Sequence, residues 1–497
     1  MRISFSLTFI LFFASYTLAD DSSSATGTMP SGQPPTAMGS AGGSAPGGGG
    51  GNGNSATSMF LTGSYTVSNE TVTNSTITVA ATSSNTSVIL ITNSGQLTLS
   101  DAFISKSGNT TSEDDSNFYG LNAAVVAQNG SSLTISNSYI SSNSDGSNAI
   151  YSTGTGTTIY AYNVTLNTTM NSSRGLDATQ MGYIYAKNAT ITTYGDHCGA
   201  FANDRGTGIV VVDGATVNTY GSGSPVVYST GNITASDVIG TAHGSSAIVV
   251  EGANNVTLTN CNVSGEGNQV QPYGVMLYQS TSGDAQDGTA ILNMTGGSLN
   301  YTGNSGPLFY ITNTVSEAYL RNVTMNFSTG SLIEASDDQW GSSGSNGGKL
   351  TFVAFNQVLS GNISCGNISS ISISLNQSSI ITGAINSNNN ASYIYFTLDT
   401  SSTWNVTGTS YISSIAADDT SFSNIYGNGH NVYYLSSNNT WLGGKTYSLQ
   451  NGGNLIAYSA NASTSTSSGT ISSATSVSSI YSLFSSLLFL SIIFNVY

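Results

Sequence analysis

The chain has 497 residues, 24 of them acidic and 8 basic, with a formal net charge of −16. Charged residues make up 6% of the sequence, against roughly 25% in an average soluble domain. Nucleic acid is therefore not an expected partner, because phosphate neutralisation needs clustered Lys and Arg. A helix-rich fold is also disfavoured, since helical surfaces draw on Glu, Lys and Arg.

At the start of the chain, Met1-Arg2 leads into an apolar stretch from Ile3 to Ala14, short for a membrane span. Thr17-Leu18-Ala19 then supplies the small residues of a signal-peptidase site. Residues 1–19 are read as a signal peptide cleaved between Ala19 and Asp20, which sends the chain into the secretory pathway. Residues 20–58 hold the Gly47 to Gly51 run and Pro30, Pro34, Pro35 and Pro46. That composition cannot bury a core and predicts a disordered N-terminal arm.

From residue 59 one eight-residue pattern recurs, as in Leu97–Ile104, Leu133–Ile140, Ile159–Leu166, Ile184–Ile191 and Val210–Val217. Positions one, three and eight are apolar, and position five is Asn, Asp or Gly: Asp101, Asn137, Asn163, Asn188, Gly214. This is a strand, a turn residue and a second strand. A further apolar position follows about twelve residues later, at Ile150, Leu176, Ala200, Val226, Ile248, Val275, Leu308 and Leu332. A unit this small cannot bury its own apolar face, but stacked units can. The expected fold is all-β: a right-handed parallel β-helix (solenoid), regular over 59–349 and less regular over 350–458, the hand being that of parallel β connections. The two longest intervals between repeats carry insertions, one spanning Asn109 to Tyr119, the other containing Glu266 to Tyr273 and Thr281 to Gly288.

Ser402-Thr403-Trp404-Asn405-Val406-Thr407-Gly408 with the following Thr409 to Ile415 resembles a motif near the end of bacterial autotransporter passenger domains. The earlier coils, with Leu133 to Ser138 and Arg174-Gly175-Leu176-Asp177-Ala178, resemble bacterial secreted right-handed β-helix adhesins. The resemblance implies a β-helical, often adhesive, cell-surface protein.

After Lys445 the chain carries no charge; a Ser/Thr stalk and spacer at 459–479 leads into a hydrophobic tail at 480–497. Small residues, spacer and terminal apolar tail form a GPI-attachment signal, with Ser467 and Ser468 as candidate attachment sites. A transmembrane tail would normally carry a basic cytoplasmic flank, which is missing here. The expected location is the extracellular face of the plasma membrane, the membrane itself being a partner through the GPI lipid. About 23 Asn-x-Ser/Thr sequons include Asn69, Asn163, Asn188, Asn255, Asn322 and Asn405, which become glycosylation candidates in a secreted chain.

Catalytic, cofactor-binding and metal-ligating sets are not evident, and none is expected. The His197-Cys198 pair lacks further ligands in sequence, and Cys198, Cys261 and Cys365 are an odd number in an oxidising compartment. Acidic pairs such as Asp114-Asp115, Asp337-Asp338 and Asp418-Asp419 are read as solvated loop carboxylates. The alternative is a β-helix polysaccharide lyase or glycoside hydrolase. The residue after each inward position of the second strand gives an outward column with Tyr151, Phe201, Met276 and Phe309, an apolar stripe suited to a glycan or a cell-surface protein ligand. The expected function is a GPI-anchored surface glycoprotein acting in adhesion or surface-coat structure.

Overall fold

A computed structural model describes residues 59–459. The first coil is β1 (Thr62–Ser68), β2 (Thr71–Ser75) and β3 (Thr78–Ala81); the second is β4 (Thr86–Thr92), β5 (Gln96–Ser100) and β6 (Phe103–Ser107). Successive coils pair in parallel and in register: Val67 lies on Ile91, Val72 on Leu97 and Val79 on Ile104. Repetition yields a β-solenoid of about 16 turns. Its principal walls are a 12-stranded sheet continuing β1 and β4 and a 21-stranded sheet continuing the other four strands.

Side-chain alternation builds the core. One inward column runs Leu133, Ile159, Ile184, Val210, Ile233, Val256 and Leu292 from coil to coil. All of these are buried, each contributing about 1.5–3 kcal/mol of hydrophobic stabilisation. Each wall strand of the larger sheet bends at the fifth position of the repeat. Asp101, Asn137, Asn163, Asn188, Asp237, Asn260 and Asn322 all take φ between 49° and 55° there, the left-handed region that Asn and Asp tolerate best after Gly. Their side chains stack as a ladder: Asn163 Nδ2 donates to Asn137 Oδ1 and Asn188 Nδ2 to Asn163 Oδ1, both at 3.1 Å.

The three cysteines are free and buried. Cys198 replaces serine in an interior column: Ser173 N–H donates to its Sγ at 3.0 Å, and its own N–H donates to Ser224 Oγ at 2.9 Å. Burial pushes its thiol up to about 12, so it behaves as an inert core filler. Past residue 365 the larger sheet continues through Ser370–Asn376, Tyr393–Leu398 and Ser414–Ala417, and two four-stranded sheets complete the stack. Thr403–Asn405 and Ser410–Ile412 are strands of the four-stranded sheets, and Trp404 is fully buried against Phe396, ring centroids 4.7 Å apart. The last strand, Asn454–Tyr458, is closed by an antiparallel strand, Tyr447–Ser448.

Candidate functional site

Register on the 12-stranded sheet differs from the sequence expectation. Ile150 pairs with Leu176, Leu176 with Phe201, Phe201 with Val227, Val275 with Phe309 and Phe309 with Ile333. Phe201 and Phe309 therefore face the core, one residue away from the expected parity. Tyr151 and Met276 do lie on the outer face, yet both are buried there. The expected exposed stripe of Tyr151, Phe201, Met276 and Phe309 is thus absent: two members point inward and two are covered.

The cover comes from the insertions and from the loop at 336–348. In the first, Glu113–Tyr119 forms a short helix, α1, capped by Ser112 Oγ, which accepts from Asp115 N–H at 3.2 Å. Gly120 ends it at φ 79°, and a Cβ there would meet the Tyr151 ring at 2.4 Å. Only glycine satisfies both the turn and the ring. Tyr151 donates from its hydroxyl to Asn117 O at 2.8 Å. Further along, Tyr228, Val249, Met276, Tyr278, Tyr310 and Trp340 form a second outer cluster, with Tyr273 stacked on Tyr310 at 4.0 Å.

Beneath this cover lies a charged cluster that the sequence reading did not single out. Arg174 Nη2 is 2.8 Å from Asp204 Oδ2 and Nη1 is 3.9 Å from Asp177 Oδ2, with all three side chains buried. Arg174 also donates to Asn117 Oδ1 of α1. Burial works against the Arg174 charge, but Asp204 and Asp177 outweigh it and hold the guanidinium charged. Burial raises Asp177 to about 7 and raises Asp204 as well. Burial thus favours the protonated carboxyls in this cluster. Glu251, likewise raised by burial, accepts from Tyr228 OH at 2.9 Å, Tyr278 OH at 2.8 Å and Ser280 N–H at 3.3 Å. Arg205 ties the insertions together: it pairs with Asp284 at 3.0 Å, and its guanidinium lies 3.8 Å over the Phe118 ring. In a chain so poor in charge, Arg174, Asp177, Asp204 and Arg205 falling on two adjacent coils is the signal from which this cluster is readable.

The open surface has a different character. On the 21-stranded sheet Tyr160, Tyr162, Tyr183 and Tyr185 gather, with ring centroids 6.0–6.3 Å apart. The Lys187–Asp213 ion pair lies beside them at 2.6 Å, and Tyr185 OH donates to Asp213 at 3.3 Å. A cavity of about 450 Å³ is lined by Ser280, Thr281, Asp287, Asn313, Ser342, Ser345 and Lys349 among others. Asn69, Asn163, Asn188 and Asn322 are exposed, while Asn255 and Asn405 are half-buried. Among the described residues no group of three His, Cys, Asp or Glu is placed to hold a metal. Burial also lowers His197, beside Cys198. Ala19, Asp20, Ser467 and Ser468, with the signal peptide, arm and hydrophobic tail, lie outside the described residues. No family model, curated protein or solved structure matches the chain.

Proposed function

We propose that the chain is a GPI-anchored cell-surface glycoprotein whose β-helical rod serves adhesion or surface-coat structure rather than catalysis. The observation that carries the reading is the open tyrosine group on the 21-stranded sheet. Tyr160 is 37% exposed, and the group combines apolar ring faces with hydroxyls and a flanking ion pair. Such a surface takes both the apolar face and the hydroxyl rim of a sugar. The N-terminal signal, the C-terminal tail pattern and the outward sequons support a surface address. Binding of the full chain to immobilised glycans tests it: Tyr160→Ser with Tyr185→Ser should weaken binding at least tenfold, about 1.4 kcal/mol, with the melting temperature unchanged. Undiminished binding by the double variant overturns the role of this face. Release from cells by phosphoinositide-specific phospholipase tests the anchor, and retention of the protein counts against it.

A second reading, a β-helix polysaccharide lyase or glycoside hydrolase, is favoured by one observation. Asp177 and Asp204 sit on adjacent coils beside Arg174 with raised pKa values, and an Oδ1 of each lacks a hydrogen-bond partner. Paired carboxyls of divergent protonation are what acid–base cleavage of a glycosidic bond requires. Both carboxyls are fully buried beneath the insertions, which weighs against access by a polymer. Release of reducing ends from a polysaccharide panel, abolished by Asp204→Asn, would establish this reading in place of the first.

A further inference from the structure

The two ends of the rod are built differently. At the C-terminal end Tyr447–Ser448 lies antiparallel on the last strand, and two single-turn 3₁₀ segments, Ser436–Asn438 and Thr440–Leu442, precede it. At the other end, among the described residues, β1 pairs only with β4, β2 only with β5 and β3 only with β6. Gln96 N–H donates to Glu70 O and Phe103 N–H to Ile77 O, so these peptide groups face the second coil. The alternate ones, including that of Thr73, face the free side. The inward side chains Tyr65, Val72, Ile77 and Val79 are only partly buried, whereas Ile89, Leu97, Ala102 and Ile104 in the next coil are at most 3% exposed. Asn74 occupies the inward place that Leu99 fills one coil later, and its Nδ2 donates to Tyr65 OH at 2.5 Å. The core end therefore carries one polar plug but keeps three free strand edges.

We propose that this open first coil is a self-association surface that takes the first coil of a second copy, tip to tip. Three free edges set around one core are matched in full only by a partner of the same cross-section. A two-fold axis across the tip lays β1 antiparallel on the partner's β1, and β2 and β3 on the partner's β3 and β2, in a closed isologous contact. The arm preceding Met59 is a poor substitute strand, because its prolines lack an N–H and its glycine run costs conformational entropy. Charge does not oppose the contact: Glu70 is the lone charged residue from 59 to 81, in a chain of net charge −16. Free edges of this kind template strand pairing unless they are blocked. With the opposite end closed, association stops at the dimer.

Sedimentation of the full chain in detergent, across roughly 1–100 µM, reads the proposal without any cell or glycan. Its failure is thus separable from failure of the surface-glycoprotein reading. The expected result is a monomer–dimer equilibrium, the dimer having the friction of a doubled rod. Thr73→Pro removes an edge N–H at an exposed position and should weaken the dimer at least tenfold without lowering the melting temperature. If that variant instead unfolds the coil, Thr66→Cys decides. Cys198, Cys261 and Cys365 are buried, so an introduced thiol on β1 should cross-link two copies. A monomer at all concentrations, species larger than dimer, or a dimer that Thr66→Cys fails to cross-link would each overturn the proposal. A monomer is also the outcome if the chain's own arm covers the tip.

Discussion

The asparagine at each bend performs two tasks: it accepts a left-handed φ and it links its coil to the next. Asn188 has φ 55° and donates its Nδ2 to Asn163 Oδ1 at 3.1 Å. Asn188→Ala should lose about 1–2 kcal/mol, from left-handed strain together with the missing hydrogen bond. Asn188→Gly should lose less, since glycine bears the φ without strain, and thermal melting of the two variants checks the order. On the proposed surface-glycoprotein reading the same ladder restricts glycosylation. Asn163 and Asn188 both head sequons and stand on adjacent coils, about 4.8 Å apart. That spacing leaves one glycan's footprint for two acceptors, so a chain occupied at Asn163 should be bare at Asn188. Asn322 faces no such rival, because the ladder residue that donates to it, Asn356, does not head a sequon. Mass spectrometry of a peptide spanning both residues reads this directly, and a doubly occupied peptide refutes it.

At the scale of elements, the insertions decide both what is buried and what titrates. Below about pH 3 the carboxyls of Asp177, Asp204 and Glu251 are protonated whether the chain is folded or unfolded. As pH rises from there the unfolded chain gives up these protons, while burial makes the folded chain hold them longer, at Asp177 up to about 7. Stability is therefore full in acid and is lost as pH rises through the folded value. Asp419 works in the opposite sense: hydrogen bonds from Ser421 and Ser423 hold it down to about 2, so its contribution disappears as pH falls through that value. The melting temperature should peak at about pH 4–5 and decline towards 7.5, and Asp177→Asn should flatten that decline. A profile that rises from pH 5 to 7.5 would contradict the protonated state assigned to the cluster. The covered face is hard to read from sequence for a physical reason. On the 21-stranded sheet one face meets solvent, so Thr158–Tyr162 alternates in burial and its parity is legible. On the other sheet Ile150–Thr153 and Leu176–Thr179 are buried at every position, because core and cover enclose both faces. Without alternation nothing in the sequence fixes which side chain points inward, and the core-facing residues are Phe201 and Phe309, one place beyond Ala200 and Leu308. The positions of the insertions were legible from the lengthened repeats; the face they would cover was not.

For the whole molecule, stacking makes stability a sum over neighbouring coils rather than a property of one centre. The low charge density has a consequence at this scale. With few ion pairs, cohesion between coils rests on registered apolar columns and backbone ladders, and both repeat with the coil. Removing one whole coil should then be tolerated, whereas removing a fraction of one should not. Residues 349–369 form such a unit, because Lys349 lies directly beneath Ser370 and Phe352 beneath Ile373. Their loss leaves Ser370 to take the place of Lys349 over Val315, and Ile373 that of Phe352 over Ala318. The inward column stays apolar, and the rod shortens by about 4.8 Å. Deleting only 349–358 shifts every later strand against its partner and turns core residues outward. The whole-coil deletion should retain the β-sheet circular dichroism and a cooperative melt, while the partial deletion should yield an aggregating or protease-sensitive chain. Equal behaviour of the two deletions would show that the coil is not the unit of stability.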